Sequence, residues 1–352
     1  MMKAIVYRGV GDIRLEEVPR PRIQGPEDAV VRVTTSSICG SDLHIMHGHL
    51  GLEPGTIIGH EFTGVVEEVG SAVTKVKPGD RVLGAAGVWC GRCPACRNNL
   101  IIACEHIALY GCGPLFGDLQ GVQAEYARVL FADVSLEKIP ENLTDEQVLF
   151  VGDILSTAYM GATGINPGEP GIQPGSVVAV MGAGPVGLCA VSVAHLFGPA
   201  KIIAVDMEDY RLKIATRLGA DHIINASQED PTEAIMDITG KWGADYVIEA
   251  VGAPEVFDQC LTAVAPGGTV SSIGVFQEPV ELPMQFLMTK NISIKMGLAN
   301  LIHMKKLINL IQNGKLDLTP IITHSLPLAE AQKGYEIFEK RLDGAIKVLF
   351  KP

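Results

Sequence analysis

Residues 176–187 read SVVAVMGAGPVG, and the fold assignment depends on this stretch. Its first part, Ser176–Met181, is an almost entirely apolar, β-rich run, which is typical of a strand buried on both faces of a sheet. A glycine-rich turn follows directly, and the residues after it show helical periodicity over Val186–Phe197. The stretch therefore predicts a strand, a tight turn and a helix, which together open a βαβ unit.

The same alternation continues downstream. Short runs, most of them apolar throughout, predict strands at Lys201–Val205, Asp245–Glu249, Thr269–Gly274 and Ile292–Lys295. Helical periods lie between most of them, at Asp209–Leu218, Pro231–Thr239 and Glu255–Val264. Unalternating strands separated by helices indicate a parallel sheet that is covered on both faces. The fold class predicted here is α/β, a Rossmann-type doubly wound parallel sheet.

The turn contains the pattern G-x-G-x-x-G, formed by Gly182, Ala183, Gly184, Pro185, Val186 and Gly187. Glycines at these places permit close approach of the backbone to a pyrophosphate, whose charge the helix N-terminus stabilises. Asp206 ends the next predicted strand, 19 residues after Gly187. A carboxylate there accepts hydrogen bonds from the adenosine ribose and repels a 2′-phosphate, so we expect NAD rather than NADP. Arg211 either flanks the adenine or belongs to a solvated helix face.

The regions before and after this α/β segment have different sequence patterns. Residues 1–150 predict an irregular β domain punctuated by proline and glycine, with strands at Lys3–Tyr7, Ile13–Glu17, Ala29–Ser37, Phe62–Val69 and Glu125–Val129. After Leu298 the pattern predicts helices at about Asn300–Gln312 and Leu328–Lys340, then a strand at Ala345–Phe350. A chain of 352 residues is also too long for one hydrophobic core, which indicates two domains.

The composition excludes several classes of protein. Hydrophobic residues make up 47% of the chain and charged residues 19%, which excludes extensive disorder. The net charge is −12 without a run of Lys or Arg, which argues against nucleic acid or a membrane surface as partner. The sequence shows neither an apolar run of membrane-spanning length nor a signal-peptide profile. We therefore expect a cytoplasmic protein whose eight cysteines stay reduced, so that clustered thiols indicate metal binding.

Four of the cysteines form C-x2-C-x2-C-x7-C in a Gly-, Cys- and Pro-rich segment at about residues 84–118, namely Cys90, Cys93, Cys96 and Cys104. Four thiolates close tetrahedrally around Zn²⁺ and leave no position for a substrate, so the predicted role is structural. Close cysteine triplets also hold iron–sulfur clusters, which is the alternative at this point. Cys112, Cys189 and Cys260 lack metal spacing, and packing is their predicted role.

A second candidate metal site is dispersed along the chain. Cys39 lies in ICGSDLH, His60 and Glu61 lie in GHEF, and Asp153 lies in VGDILSTAYMGA. One thiolate, one imidazole and one carboxylate make three zinc ligands and leave a fourth position open, as in catalytic zinc sites. The negative charges of Cys39 and Asp153 balance Zn²⁺, which keeps its Lewis acidity.

The segments ICGSDLH and GHEFTGVVEEVG, the four-cysteine lobe and the GAGPVG helix together resemble the zinc-dependent medium-chain alcohol dehydrogenases, in order and through essentially the whole chain. The resemblance implies Cys39, His60 and Asp153 as ligands of a catalytic zinc. Asp153 stands where the common pattern has a second cysteine, as in the secondary-alcohol and glutathione-independent formaldehyde dehydrogenase branches. Glu61 matches a neighbouring glutamate that can enter or leave the zinc coordination.

The same resemblance implies roles for residues near the reacting groups. Ser41 matches the hydroxyl residue that touches the substrate oxygen, and His44 matches the outer end of a proton relay. The positions where family members contact the nicotinamide half of the cofactor are Thr157, Val251, Gly274, Val275, Gly297 and Leu298.

The resemblance also implies the domain organisation. A GroES-like β-barrel catalytic domain is expected over residues 1–155, with the zinc lobe at about 84–118, and a Rossmann NAD-binding domain over 156–296. Residues 297–352 are expected to return to the catalytic domain. Family members are usually homodimers or homotetramers, so one of these states is expected.

The implied activity is reversible hydride transfer between a small primary or secondary alcohol and NAD, with two zinc ions per chain. Polyol, threonine and formaldehyde dehydrogenases with the same zinc and NAD chemistry remain alternatives. An alternative from another class is a non-catalytic NAD-binding protein or an iron–sulfur electron-transfer protein.

Overall fold

The computed structural model describes residues 1–49, 51–166, 168–298 and 300–352, which divide into two compact units. One unit consists of Met1–Ser156 together with Leu301–Pro352, and the other of Thr157–Asn300. The first predicted domain ends at residue 155, one residue before the observed division at Ser156. The second ends at residue 296, four residues before the observed division at Asn300.

The regular elements are numbered along the chain. The strands are β1 (Met2–Gly9), β2 (Asp12–Val18), β3 (Ala29–Ser37), β4 (Glu61–Val69), β5 (Arg81–Gly84), β6 (Gly87–Val88), β7 (Ala108–Leu109), β8 (Tyr126–Val129), β9 (Leu136–Lys138), β10 (Val177–Met181), β11 (Lys201–Asp206), β12 (His222–Asn225), β13 (Ala244–Glu249), β14 (Val264–Ser272), β15 (Ser293–Met296), β16 (Ile322–Pro327) and β17 (Lys347–Lys351).

The α-helices are α1 (Gly40–Met46), α2 (Pro94–Arg97), α3 (Ala132–Ser135), α4 (Asp145–Val148), α5 (Ile154–Thr163), α6 (Pro185–Ala194), α7 (Asp209–Arg217), α8 (Pro231–Ile238), α9 (Pro254–Ala263), α10 (Met284–Lys290), α11 (Met304–Gln312) and α12 (Ala331–Glu339). Short 3₁₀ helices lie at Ile101–Ala103, Pro114–Phe116, Leu149–Gly152, His195–Phe197, Leu301–His303, Thr319–Ile321, Leu328–Glu330 and Leu342–Gly344. Among the described residues, every helix is too short or too polar to span a lipid bilayer.

The unit Thr157–Asn300 is built on a parallel sheet with the strand order β12-β11-β10-β13-β14-β15. Strand β10 lies inside the sheet, and its consecutive residues Val178, Ala179 and Val180 are fully buried, so both of its faces are covered. Helices α6, α7 and α9 pack on the strands. The doubly wound parallel sheet predicted from the sequence is therefore confirmed.

Several element positions differ from the prediction. The helix predicted to reach Phe197 ends as an α-helix at Ala194 and continues as a 3₁₀ turn, because Gly198 then adopts a left-handed conformation (φ 65°). Strand β14 begins directly after α9, and its glycine pair is accommodated by a shift in register against β13. Strands β5, β6, β7, β9, β12 and β16 were not predicted; β6, β7 and β9 have only two or three residues, the HIIN sequence of β12 does not alternate, and β16 carries polar side chains.

The other unit is predominantly antiparallel. Its main sheet has the order β16-β17-β3-β4-β5-β9, and β8 also pairs with β3. The C-terminal strand β17 pairs with the end of β3, Leu349 opposite Ser37 and Phe350 opposite Ser36. The segment from Leu301 onward is therefore part of the unit, and through β16 and β17 of the sheet, that carries the N-terminal strands.

One hydrophobic core of this unit combines both ends of the chain. Ile38 and Ile45, which flank and belong to α1, pack in the same cluster as Tyr335 of α12 and Phe350 of β17. All four side chains are at most 2% exposed. Helix α1 therefore packs against the C-terminal segment. This close packing fixes the position of the residues at the start of the helix.

Candidate functional site

The four clustered cysteines bring their sulfur atoms together inside the predicted lobe, and all four side chains are buried. The Sγ atoms are 3.5 Å apart for Cys93 and Cys96, 3.6 Å for Cys90 and Cys104, and 4.0 Å for Cys90 and Cys96. Four sulfurs bound to one zinc ion at about 2.3 Å lie roughly 3.8 Å from one another. The lobe therefore fits a single tetrahedral ion and is too tight for a cluster of several irons with bridging sulfides.

The charges of the lobe also favour a cation. Backbone N–H groups of Cys96 and Glu105 lower the pKa of Cys93 to about 6. Burial, assisted by the thiols of Cys93 and Cys104, raises the pKa of Cys96 to about 12. Four adjacent thiols therefore cannot all ionise unless a metal ion takes the place of the protons. The fit supports a structural role, because four sulfur ligands leave no position for a substrate.

The dispersed candidates also converge on one point. Cys39 precedes α1, His60 and Glu61 stand at the start of β4, and Asp153 precedes α5. The ligand atoms of these four residues lie within 4.8 Å of one another. Asp153 Oδ2 is 3.6 Å from Cys39 Sγ and 3.3 Å from His60 Nε2. Ligand atoms of one tetrahedral zinc ion are separated by roughly 3.4–3.6 Å for these donor types, so the three residues fit a zinc ion.

His60 is oriented by a carboxylate on its far side. Its Nδ1 lies 3.2 Å from Asp42 Oδ1, which leaves Nε2 facing Asp153. Burial alone lowers the pKa of His60, but the charges of Asp42 and Asp153 outweigh it and raise the pKa well above the ordinary value. A cation is thus favoured at Nε2, and a metal ion would replace the proton there.

Glu61 has one bound and one free oxygen. Its Oε2 pairs with Lys347 Nζ at 2.6 Å, with both side chains fully buried, and accepts a hydrogen bond from the Ser37 hydroxyl. Its Oε1 is buried without a hydrogen-bond partner in the described structure. Burial raises the pKa of Glu61, while the Lys347 charge opposes that shift. One oxygen of Glu61 is therefore available to a metal ion beside the other three ligands.

Ser41 and His44 both lie on α1. Ser41 Oγ is 3.4 Å from His60 Nε2, so this hydroxyl faces the predicted metal position. The ring of His44 is half-buried and stacks on His49 with 5.7 Å between centroids. Burial, followed by the charges of His49 and His47, lowers the pKa of His44. His44 is therefore a neutral imidazole near neutral pH and can accept a proton.

Two glycines of the loop in the other unit, Gly182 and Gly187, have no space for a side chain, whereas a Cβ on Gly184 would come no closer than 4.0 Å to a neighbouring atom. Gly182 has a φ of +98°, and a Cβ on Gly187 would lie 1.8 Å from the Gly182 carbonyl oxygen. Helix α6 begins at Pro185, so its first N–H groups face the turn. The loop thus has the close backbone approach and helix N-terminus that a pyrophosphate requires.

Asp206 ends β11 beside this loop. Its Oδ2 accepts a hydrogen bond from Ala183 N at 2.8 Å, and its Oδ1 accepts one from Glu208 N at 3.0 Å. Each carboxylate oxygen keeps a further lone pair, so ribose hydroxyls can still donate to it. Arg211 Nη1 lies 3.7 Å from Asp206 Oδ2, which places this guanidinium at the predicted adenosine side.

The residues predicted to contact nicotinamide mostly follow the carboxyl ends of parallel strands. Val251 follows β13, Gly274 and Val275 follow β14, and Gly297 and Leu298 follow β15, while Thr157 lies on α5. The apolar side chains among them are 47% exposed for Val251, 44% for Val275 and 37% for Leu298. Carboxyl ends of parallel strands meet at the edge that carries the glycine loop, where ligands bind in such sheets.

Sequence reasoning missed the residues that support these sites. Glu249 Oε1 accepts N–H bonds from Val251 and Gly252, both at 2.7 Å, and so holds that loop. An acid at the end of an apolar strand is the signal, as it was for Asp206. Lys347 is marked by its charge inside the apolar run AIKVLF.

Two family models match the chain. The model described as "Alcohol dehydrogenase GroES-like domain" matches residues 25–141, and the model described as "Zinc-binding dehydrogenase" matches residues 185–313. The first model covers strands β3 to β9 with the candidate ligands Cys39, His60 and Glu61, and it confirms the predicted GroES-like class of that unit. The second begins at Pro185, directly after the first two glycines of the loop, and covers α6 and the strands β11 to β15 of the parallel sheet.

Relatives match the chain from end to end. An alcohol dehydrogenase of Cupriavidus necator is 38% identical, and the alignment covers 100% of this chain and 99% of the relative. The L-threonine 3-dehydrogenase of Bacillus licheniformis is 32% identical, with 99% of both chains covered. The solved structure of alcohol dehydrogenase TADH from Thermus sp. ATN1 has a TM-score of 0.93 at 44% identity, with 99% of both chains covered. The chain therefore belongs to the zinc-dependent medium-chain alcohol dehydrogenase family and is an oxidoreductase that works with zinc and a nicotinamide cofactor.

Proposed function

We propose that this protein interconverts a small primary or secondary alcohol with its aldehyde or ketone, at a zinc ion held by Cys39, His60 and Asp153. The observation that carries the proposal is the spacing of these three donor atoms, with Asp153 Oδ2 3.6 Å from Cys39 Sγ and 3.3 Å from His60 Nε2. Three protein ligands leave one position of a tetrahedral ion for the substrate oxygen. Zinc bound there supplies Lewis acidity, which lowers the pKa of the substrate hydroxyl.

The proton of the alcohol leaves through residues of α1. Ser41, whose hydroxyl lies 3.4 Å from the metal-facing Nε2 of His60, accepts it while giving up its own hydroxyl proton towards His44. His44 follows three positions later on the same helix and is the outer base of this relay. Its lowered pKa keeps the ring neutral, so that it can take up the proton and release it to water.

Glu61 acts beside this relay as an alternate metal ligand. One of its carboxylate oxygens lies within 4.8 Å of the other donor atoms, Oε1 is buried without a hydrogen-bond partner in the described structure, and Lys347 and Ser37 hold Oε2. A carboxylate held by one oxygen can offer the other to the ion when the substrate position empties. This residue therefore supports exchange of alcohol for product.

The cofactor held by the glycine loop and Asp206 is NAD, which would supply the hydride acceptor. Gly182 and Gly187 permit the tight turn, Gly184 leaves open space for the pyrophosphate, and Asp206 binds the adenosine ribose hydroxyls. The side chain of Asp206 is only 9% exposed and is anchored to the loop at 2.8 Å, so it cannot turn away from a 2′-phosphate. The resulting repulsion favours NAD over NADP, and Arg211 flanks the adenine.

The protein works as a homodimer or homotetramer in the cytoplasm, without nucleic acid or membrane partners. Exposed apolar side chains on α10 and on the sheet-edge strand β15 support self-association, with Met288 75% and Met296 65% exposed. The net charge of −12 argues against nucleic acid. A reducing compartment keeps the thiols available to zinc.

L-Threonine is the second candidate substrate, because a relative named L-threonine 3-dehydrogenase aligns over 99% of the chain at 32% identity. The test is a screen that follows NADH absorbance with ethanol, 2-propanol, 2,3-butanediol, threonine, sorbitol and formaldehyde. Parallel reactions use NADP, and the metal content per chain is counted. We expect turnover of a small alcohol with NAD and two zinc ions per chain. Fully active enzyme with one zinc ion, or faster turnover with NADP, contradicts the proposal.

A further inference from the structure

A path of buried hydrogen bonds leads from the C-terminal helix α12 to Asp42, whose Oδ1 is in ion-pair contact with Nδ1 of the predicted zinc ligand His60. Tyr335 OH donates to Gln123 Oε1 at 2.9 Å. Gln123 Nε2 donates to Asp42 Oδ2 at 3.3 Å and to the Ser37 carbonyl oxygen at 3.1 Å. Asp42 Oδ1 then lies 3.2 Å from His60 Nδ1. The first bond of this path, between Tyr335 and Gln123, joins residues that are 212 positions apart in the sequence.

The chemistry of the partners determines the direction of each bond. A carboxylate and a backbone carbonyl can only accept, so the amide nitrogen of Gln123 must face Asp42 and Ser37. The amide oxygen then faces Tyr335, whose hydroxyl must donate. Reversing the amide would place an oxygen against two acceptors and leave the path without donors.

Every member of this path is shielded from solvent. The exposed fractions are 2% for Tyr335, 0% for Gln123 and Asp42, and 6% for His60. The side chain of Gln123 also packs closely on the backbone of Gly59, the residue before His60. A Cβ on Gly59 would lie only 2.4 Å from Gln123 Cγ. Removing one donor would leave a buried acceptor unpaired and let the next side chain turn.

Asp42 connects the path to two of the metal ligands. Its Oδ2 accepts a hydrogen bond from Cys39 N at 2.9 Å, and its Oδ1 faces His60 Nδ1. Gln123 binds the same Oδ2 and so restrains the plane of the carboxylate. The orientation of Asp42 decides whether His60 presents its Nε2 lone pair to a metal ion.

We infer that Tyr335 and Gln123 are positioning residues for the zinc site, acting through Asp42 on His60 and Cys39. The inference rests on the proposed function, since it assumes that these two ligands hold a zinc ion. The C-terminal segment then contributes to metal retention as well as to the core. The ring of Tyr335 is itself seated by Phe350, with 6.3 Å between ring centroids.

The experiment measures zinc release from the purified holoenzyme to a chelating indicator dye, with Tyr335→Phe as the variant. Both ions of one chain are followed, so the lobe's zinc is an internal reference. We expect release of the second zinc to accelerate about tenfold, at the low end of the effect of residues that orient a metal ligand, with the lobe's rate unchanged. Gln123→Glu should accelerate it more, because a second carboxylate would repel Asp42.

Tyr246→Phe is the matched control, since Tyr246 is also a buried tyrosine, 4% exposed, whose hydroxyl donates to the Gly161 carbonyl oxygen at 2.7 Å. It should leave both release rates unchanged. Equal acceleration of both ions in Tyr335→Phe, or wild-type release in both Tyr335→Phe and Gln123→Glu, overturns the inference alone. A wild-type chain that holds only the lobe's zinc overturns the proposed function, and this inference with it.

Discussion

The two proposed metal sites differ in how far apart their candidate ligands lie in the sequence. In the lobe, the first and last cysteines, Cys90 and Cys104, are 14 residues apart, and Cys90 N donates a hydrogen bond to Cys104 Sγ. In the other site, Cys39 and Asp153 are 114 residues apart and stand at the ends of different elements. The first site is a local loop closure, whereas the second requires the finished antiparallel sheet.

This difference in sequence separation explains why one site is suited to a structural role and the other to a chemical role. Local closure with four identical thiols gives a saturated site that can order its own loop and nothing more. Assembly from distant elements permits mixed donors, an open position and supporting groups such as Asp42 and Lys347. The chemical use of the second site thus depends on contacts that no short segment of the chain contains.

The largest expected effect is loss of the assembled site alone. Asp153→Ala should remove one zinc ion per chain and lower kcat/KM by more than about 10³-fold, because metal ions contribute several kcal/mol to transition-state stabilisation. The lobe's zinc should remain, since none of its ligands touches Asp153. Metal analysis and initial rates measure both. Asp12→Ala, an exposed acid of the same unit paired with Arg14, serves as control. Loss of both ions would show that the two sites are not independent.

The reverse substitution breaks the local site. Cys96→Ser should remove the lobe's zinc and lower the thermal midpoint by on the order of 10 °C, since binding energy of the ion is folding energy. Activity at low temperature, counted per remaining zinc ion, should be retained. Scanning calorimetry beside metal analysis tests this. Cys112→Ser is the matched control, a buried thiol (7% exposed) outside the lobe's four ligands. An unchanged midpoint would refute a structural role for the lobe.

The smallest effect concerns the proton relay of the assembled site. His44→Gln should lower alcohol oxidation about tenfold near neutral pH, and less at pH 9, where hydroxide can take the proton. The pKa of His44 is lowered by burial and by the charges of His49 and His47, so the wild-type rate should fall only as the pH drops below 6.5. His49→Gln removes one of these charges, raises the pKa of His44 and moves the acid limb to higher pH. Identical pH profiles in wild type and His44→Gln would exclude the relay.

Much of the fold could be predicted because its signals are local. The run Ser176–Met181 and the glycines after it specify a strand and a turn through side-chain polarity and backbone freedom, without reference to distant residues. The strand β12 could not be predicted, since its sequence HIIN shows neither an alternating pattern nor a long apolar run. Helix α1 was also missed, because its seven residues are held by tertiary packing more than by propensity.

The site was predictable where a residue's type narrows its chemistry. Cys39, His60 and Asp153 were named from the sequence, and the structure brings their donor atoms together. Gln123 and Tyr335 were not, because a glutamine in a loop and a tyrosine on a helix have no pattern that marks them. Their significance comes from a hydrogen-bond path that exists only in the folded unit.

The sequence by itself determined the parallel sheet, the glycine loop with its acid, and the spacing of four thiols, since each depends on neighbours along the chain. Only the tertiary structure decided that Lys347 lies fully buried against Glu61 and that the two ends of the chain share one core around α1. The physical reason is that orientation, burial and charge balance at a metal site arise from contacts between elements, and those contacts form only when the sheet closes.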